Sequence, residues 1–138
     1  MKQLDAGVED VWFLLVDWER QARWMGDADW VRVEGPREGV GVSLSVKTRI
    51  YNIPAFTERL EVIEWGPPSR LVIAHRSLVE GTGTWTLEPS GDGCRFTWTE
   101  DVTLPVVRDL VAGIYRPFLA KMMEASMARL ADMIAPKG

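Results

Sequence analysis

The spacing of apolar residues runs from a helical period to a period of two and back again. Met1 to Asp5 is long enough for a short strand, and Ala6-Gly7 breaks it. Val8, Val11, Trp12 and Leu15 then recur at i, i+3, i+4 and i+7, one face of an amphipathic helix. Glu9 and Asp10 stand in its first turn, where negative charge suits the positive end of the helix dipole. A second short helical piece is predicted over Trp18 to Met25, ended by Gly26-Asp27.

Strands follow. Trp30, Val31 and Val33 form a short one, closed by Glu34-Gly35-Pro36. Val40, Val42, Leu44, Val46, Thr48 and Ile50 alternate with Gly41, Ser43, Ser45, Lys47, Arg49 and Tyr51, the clearest period of two in the chain. Asn52-Ile53-Pro54 reads as an interruption. Phe56 to Trp65 is the next strand, and Gly66-Pro67-Pro68-Ser69 its turn. Leu71 to Val79 and Thr82 to Glu88 are predicted strands with Glu80-Gly81 between them, and Ser90-Gly91-Asp92-Gly93 is a hairpin loop before Cys94 to Thr103. From Pro105, which suits the first turn of a helix, the helical period returns. Val107, Leu110, Val111, Ile114, Phe118 and Met122 run down one side, and Leu130, Met133 and Ile134 extend it. Pro117 removes a backbone hydrogen bond and is expected to kink this helix near Gly113.

The order is therefore strand, two short helices, six strands and one long helix. Short turns between consecutive strands mean an antiparallel meander, and only the long C-terminal helix can cover it. The class is α+β: a curved antiparallel sheet of six or seven strands wrapped around the last helix.

Composition narrows the function classes. The 138 residues suit one domain with one core, spanning 1–138. A net charge of -4 argues against nucleic acid, which needs a basic footprint. No Lys/Arg cluster suggests an anionic membrane surface as partner. The longest apolar run near the start, Val11 to Val16, is too short for a signal core or a membrane span, so a cytoplasmic location is expected. The single cysteine, Cys94, excludes an intrachain disulfide, and with one histidine it leaves no zinc site of the usual kind. Gly39-Val40-Gly41 precedes a strand rather than a helix, so it is no phosphate loop. No acidic cluster resembles a calcium or magnesium site. No cofactor is expected. Seven tryptophans in so short a chain point to a bulky core or an aromatic-lined cavity, and helical spacing assigns Trp12 to the core.

Several segments together resemble the START-like superfamily, also called SRPBCC, and within it the polyketide cyclase/dehydrase-like group. They are Asp5-Ala6-Gly7-Val8-Glu9-Asp10-Val11-Trp12, Asp17-Trp18 through Trp24-Met25, Thr57-Glu58-Arg59, Trp65-Gly66-Pro67-Pro68-Ser69-Arg70-Leu71, Phe96-Thr97-Trp98-Thr99-Glu100, and Met123-Glu124 to Leu130. The likeness spans the whole chain. It implies the helix-grip fold and a pocket between the concave sheet face and the C-terminal helix. Two departures stand out. Gly7 replaces the usual Pro, and the first strand is short, which leaves an edge open to pairing and makes a homodimer an expectation.

Alternation predicts which side chains face that pocket. In the last strand Phe96, Trp98, Glu100 and Val102 share one face, and the apolar face should be the inner one. Glu100 is then turned inward, where a carboxylate needs a partner or a raised pKa. Leu71, Ile73 and His75 share a face; His75 is either a satisfied structural histidine or a pocket acid/base coupled to Glu100. Trp85 should point inward, with Gly83 leaving space for ligand. From the helix, Ile114, Phe118 and Met122 should line the pocket, with Tyr115 at its mouth. Arg49, Tyr51 and Glu58 are weaker candidates, Glu58 reading equally well as half of a surface ion pair.

Three functions fit these residues. The first is binding or transport of a small hydrophobic molecule (a lipid, polyketide or aromatic metabolite), with ligand contacts from Trp85, Phe96, Trp98, Ile114, Tyr115, Phe118 and Met122. The second is a polyketide cyclase, aromatase or dehydratase, with His75 as base and protonated Glu100, Tyr115 or Arg49 polarising a carbonyl. The third is a protein-interaction module without a ligand.

Overall fold

The structure, a computed structural model, describes residues 1–50, 53–77, 80–103 and 108–134, with the backbone alone at 50, 53–55, 103 and 108–115. The chain begins with strand β1 (Lys2–Leu4) and helix α1 (Val8–Leu15). A 3-10 turn (Trp18–Arg20) runs directly into α2 (Gln21–Trp24). Then come β2 (Ala28–Glu34), β3 (Ser43–Ile50), β4 (Ile53–Gly66), β5 (Arg70–Arg76), β6 (Glu80–Ser90) and β7 (Gly93–Thr103), and last α3 (Arg108–Ile134). The strands form one antiparallel sheet in the order β1-β7-β6-β5-β4-β3-β2. The fold is the helix-grip arrangement that the family resemblance implies, with all seven strands present.

The differences lie at strand ends. Val40 is 66% exposed and stands outside β3, because Gly39 and Gly41, with φ of +88° and +102°, hold the chain in a turn before it. Asn52-Ile53-Pro54 does not stop β4. Ile53 pairs with Ile50 and Pro54 with Arg49, while Asn52 lies outside the described residues. Glu80 and Gly81 belong to β6 rather than to a turn, opposite Arg76 and His75 of β5. The expected helix start at Pro105 lies outside the described residues, and α3 continues through Pro117 as one helix to Ile134.

Burial follows the predicted faces of α1 and the sheet, whereas Met133, expected on the apolar side of the last helix, is 41% exposed. α1 buries Val11, Trp12 and Leu15. Trp12 meets Trp65 edge-on with ring centroids 5.2 Å apart. Trp24, Trp85 and Trp98 form a second aromatic group at centroid distances of 5.6, 6.0 and 6.2 Å. The edge-to-face pairs Trp12–Trp65, Trp24–Trp98 and Trp85–Trp98 contribute about 0.5–1.5 kcal/mol each beyond the area they bury. On α3, Met122, Met127 and Leu130 are buried against the same core.

A polar clamp ties α3 to the segment before β2. The Gly26 N–H donates to Ser126 Oγ at 2.8 Å, and that hydroxyl donates to the Met122 carbonyl at 2.6 Å. Arg129 Nη1 donates to the Trp24 carbonyl at 3.2 Å. The backbone leading into Asp27 is thereby held against the helix. No helix among the described residues is long and apolar enough to cross a membrane.

Candidate functional site

Three side chains from three strands meet on the concave face. Glu58 comes from β4, His75 from β5 and Glu100 from β7, and their side chains are only 9%, 12% and 10% exposed. His75 stands between the two carboxylates. Its Nδ1 contacts Glu58 Oε1, and its Nε2 lies 3.0 Å from Glu100 Oε2. With a proton on each nitrogen, both donate. The Trp98 ring N–H donates to the other Glu100 oxygen at 2.9 Å, and Thr48 Oγ1 donates to Glu58 Oε2 at 3.4 Å.

The electrostatics follow from this geometry. Burial alone would lower the pKa of His75, but the hydrogen bonds to Glu100 and Glu58, together with their charges, raise it to about 10. His75 is thus an imidazolium at neutral pH. Both its nitrogens are engaged, so it offers a bound molecule no free base in this state. A fourth group, Asp27, stands in the turn entering β2. Burial raises its carboxyl to about 7, and the charges of Glu58 and Glu100 add to that.

These polar groups line a partly open hollow between the sheet and α3, with about 50 Å³ open to the centre of a water-sized sphere. Its apolar walls are Val31, Val46, Ile73, Trp85 and Trp98 from the sheet, Met25 after α2, and Leu119 and Met122 from α3. Room for one water takes roughly 10–15 Å³ on this measure, so the hollow suits a small group or one end of a larger molecule.

The residues expected at the site divide into three groups. His75, Glu100, Trp85, Trp98 and Met122 line the hollow. Phe96 does not; it is fully buried and packs on Trp85, with ring centroids 6.1 Å apart. Phe118 is partly buried against the core, and the wall position is taken by Leu119, three residues before Met122 on the helix. The side chains of Ile114 and Tyr115 lie outside the described residues, as does Tyr51. Arg49 points away from the hollow into an ion pair with Asp29.

Gly83 leaves its space to a different occupant than expected. A Cβ on it would lie 2.9 Å from both Glu100 oxygens, so the carboxylate rather than a ligand fills that place. Glu58 is no surface ion pair; it is buried and bonded to His75. Asp27, Gln21, Met25 and Leu119 escaped sequence reasoning. Leu119 had a helical signal in its spacing from Met122, whereas Gly26-Asp27 reads only as a turn.

Solved structures share this architecture. TTHA0849 from Thermus thermophilus is 21% identical, with a TM-score of 0.76, over 96% of this chain and 92% of that one. The Zhui aromatase/cyclase from Streptomyces sp. R1128 is 14% identical, with a TM-score of 0.79, over 96% and 89%. The di-domain ARO/CYC BexL of the BE-7585A biosynthetic pathway is 16% identical, with a TM-score of 0.78; the match covers 99% of this chain and 49% of BexL. At these identities the likeness is one of fold. No curated protein sequence matches the chain. The family model described as polyketide cyclase / dehydrase and lipid transport matches residues 2–135, and the chain belongs to that family.

Proposed function

We propose that the protein binds a small, mostly apolar molecule in the hollow between the sheet and α3. The observation that carries this reading is the hollow itself: apolar walls, with polar groups gathered from Glu58, His75, Glu100 and Asp27. Family membership supports it. The test is native mass spectrometry of the purified protein with organic extraction, followed by melting curves against a panel of small aromatic and aliphatic compounds. A co-purifying or stabilising compound supports the reading. A protein that is empty and unmoved by the whole panel would instead favour an interaction module.

A second reading, transformation of the bound molecule by polyketide cyclase, aromatase or dehydratase-type acid–base chemistry, is favoured by one observation. Asp27 faces the hollow with a carboxyl poised near neutral pH, where proton transfer in both directions is easy. In this reading the acid–base pair expected at His75 and Glu100 is a fixed charged frame, and Asp27 exchanges the proton. Turnover of a poly-β-ketone or β-hydroxy-ketone probe, lost in Asp27→Asn with binding retained, supports it. Binding without turnover leaves the first reading alone.

A further inference from the structure

The polar groups of the hollow are unequal in how they are satisfied. Glu58, His75, Glu100 and the Trp98 N–H bond to one another. The Asp27 carboxyl has only a hydrogen bond from its own backbone N–H, with no side chain among the described residues bonded to it, although burial is the strongest influence on it. The charges are unequal as well. Three carboxyl groups face one imidazole, and no Lys or Arg among the described residues lines the hollow. Among the described residues the surrounding elements supply no compensation. Gln21 and Met25 face it from the α2 side and Leu119 and Met122 from α3, all without charge. Arg49 is paired with Asp29, and Arg129 with the Trp24 carbonyl.

A carboxylate or an enolate entering this space would therefore meet an excess of negative charge in a poorly solvated pocket, which opposes its binding. A cation would supply the missing charge and a further, charged donor for Asp27. Trp85 and Trp98 line the same space, and aromatic rings attract cations. A metal ion is a poor occupant, because no group of three or more His, Cys, Asp or Glu among the described residues could hold one.

From this we propose that the bound molecule is an amine: a small apolar body with a protonated nitrogen that is held by Asp27 beside Glu58 and Glu100. The inference rests on the proposal that the hollow binds a small molecule, and its test separates the two. Phenethylamine, 2-phenylethanol and 3-phenylpropionate share an aromatic body and differ in the charge of the polar end. Their affinities for the full chain are measured by calorimetry at about pH 8. The amine should bind about tenfold or more tightly than the alcohol, a difference of about 1.4 kcal/mol, and 3-phenylpropionate should bind most weakly. Asp27→Asn should abolish the preference for the amine over the alcohol. In the unchanged protein the preference should shrink as pH falls from 8 towards 5, while the amine itself stays protonated. That series serves equally if the variant does not fold. Alcohol or 3-phenylpropionate binding as tightly as the amine overturns the amine inference and leaves the binding proposal standing. Failure of all three to bind overturns both.

Discussion

Gly83 lies directly beneath the Glu100 carboxylate. The two residues are register partners across β6 and β7, and a Cβ on Gly83 would sit 2.9 Å from each carboxylate oxygen. On its other side Gly83 pairs with Ile73 of β5, two residues before His75. The missing side chain on β6 therefore lets a carboxylate from β7 reach a histidine on β5, across the strand between them. Gly83→Ala should push Glu100 off His75 and cost about 1–3 kcal/mol. Gly7→Ala, with nothing within 4 Å of the new Cβ, is the control and should cost no more than about 1 kcal/mol, the difference between Gly and Ala as N-cap of α1. Urea denaturation of both variants checks this, and equal stabilities would sink the packing argument.

His75 links the protein's stability to pH. Its pKa is 6.5 in the unfolded chain and about 10 in the folded one, so the folded state holds the proton more tightly. The contribution is fully present below pH 6.5 and is lost as pH rises through 10. Denaturation midpoints measured across that window should fall with pH in the parent and fall less in His75→Ala. The variant leaves two buried glutamates without their cation and should lose about 3–5 kcal/mol near neutral pH. A parent profile flat from pH 6.5 to 10 would contradict the imidazolium assignment.

Asp27 acts in the same direction from lower pH. Its carboxyl titrates at about 7 when folded against 3.8 when unfolded, so stability falls as pH rises between those values. Above the window the ionised group opposes folding. Asp27→Asn should therefore stabilise the protein by about 1–3 kcal/mol at mildly alkaline pH, with the gain vanishing under acid conditions. Melting temperatures of parent and variant at both ends of the window measure it. A less stable variant at alkaline pH would mean that the carboxylate has a favourable partner.

Trp98 and Trp30 should respond differently to substitution. Trp98 is buried, lines the hollow and donates to Glu100, whereas Trp30 is half-buried under the Arg32 guanidinium, 4.2 Å from its ring centroid. Trp98→Phe keeps most of the packing and removes the donor, which should cost about 1–3 kcal/mol because a carboxylate loses its partner. Trp30→Ala should cost about 1 kcal/mol and leave binding in the hollow unchanged. Calorimetric titration with the tightest compound from the panel compares them, and equal losses of affinity would remove Trp98 from the site.

Glu100→Gln illustrates how pairing changes an expectation. A buried, isolated carboxylate is improved by neutralisation, but Glu100 accepts from both Trp98 and His75. Its amide would turn a donor or a weaker acceptor toward each. The variant is expected to lose stability rather than gain it, which thermal denaturation decides.

The chain's periodicities determined the element order, the antiparallel class and the inward face of most strands, because alternation and helical spacing are properties of the local backbone. Trp85, Trp98 and Glu100 were placed inward on that basis alone. What lies beside them was decided by the tertiary structure. Glu58 and Glu100 stand 17 and 25 residues from His75, and only the register of β4, β5, β6 and β7 brings them to its two nitrogens. Phe96 shares its strand face with Trp98 yet packs into the core, since alternation gives a side but not a position along it. Asp27 reads as a turn residue in the sequence. It becomes a group of the hollow because Ser126 and Arg129 hold the preceding backbone against α3, about a hundred residues further along the chain.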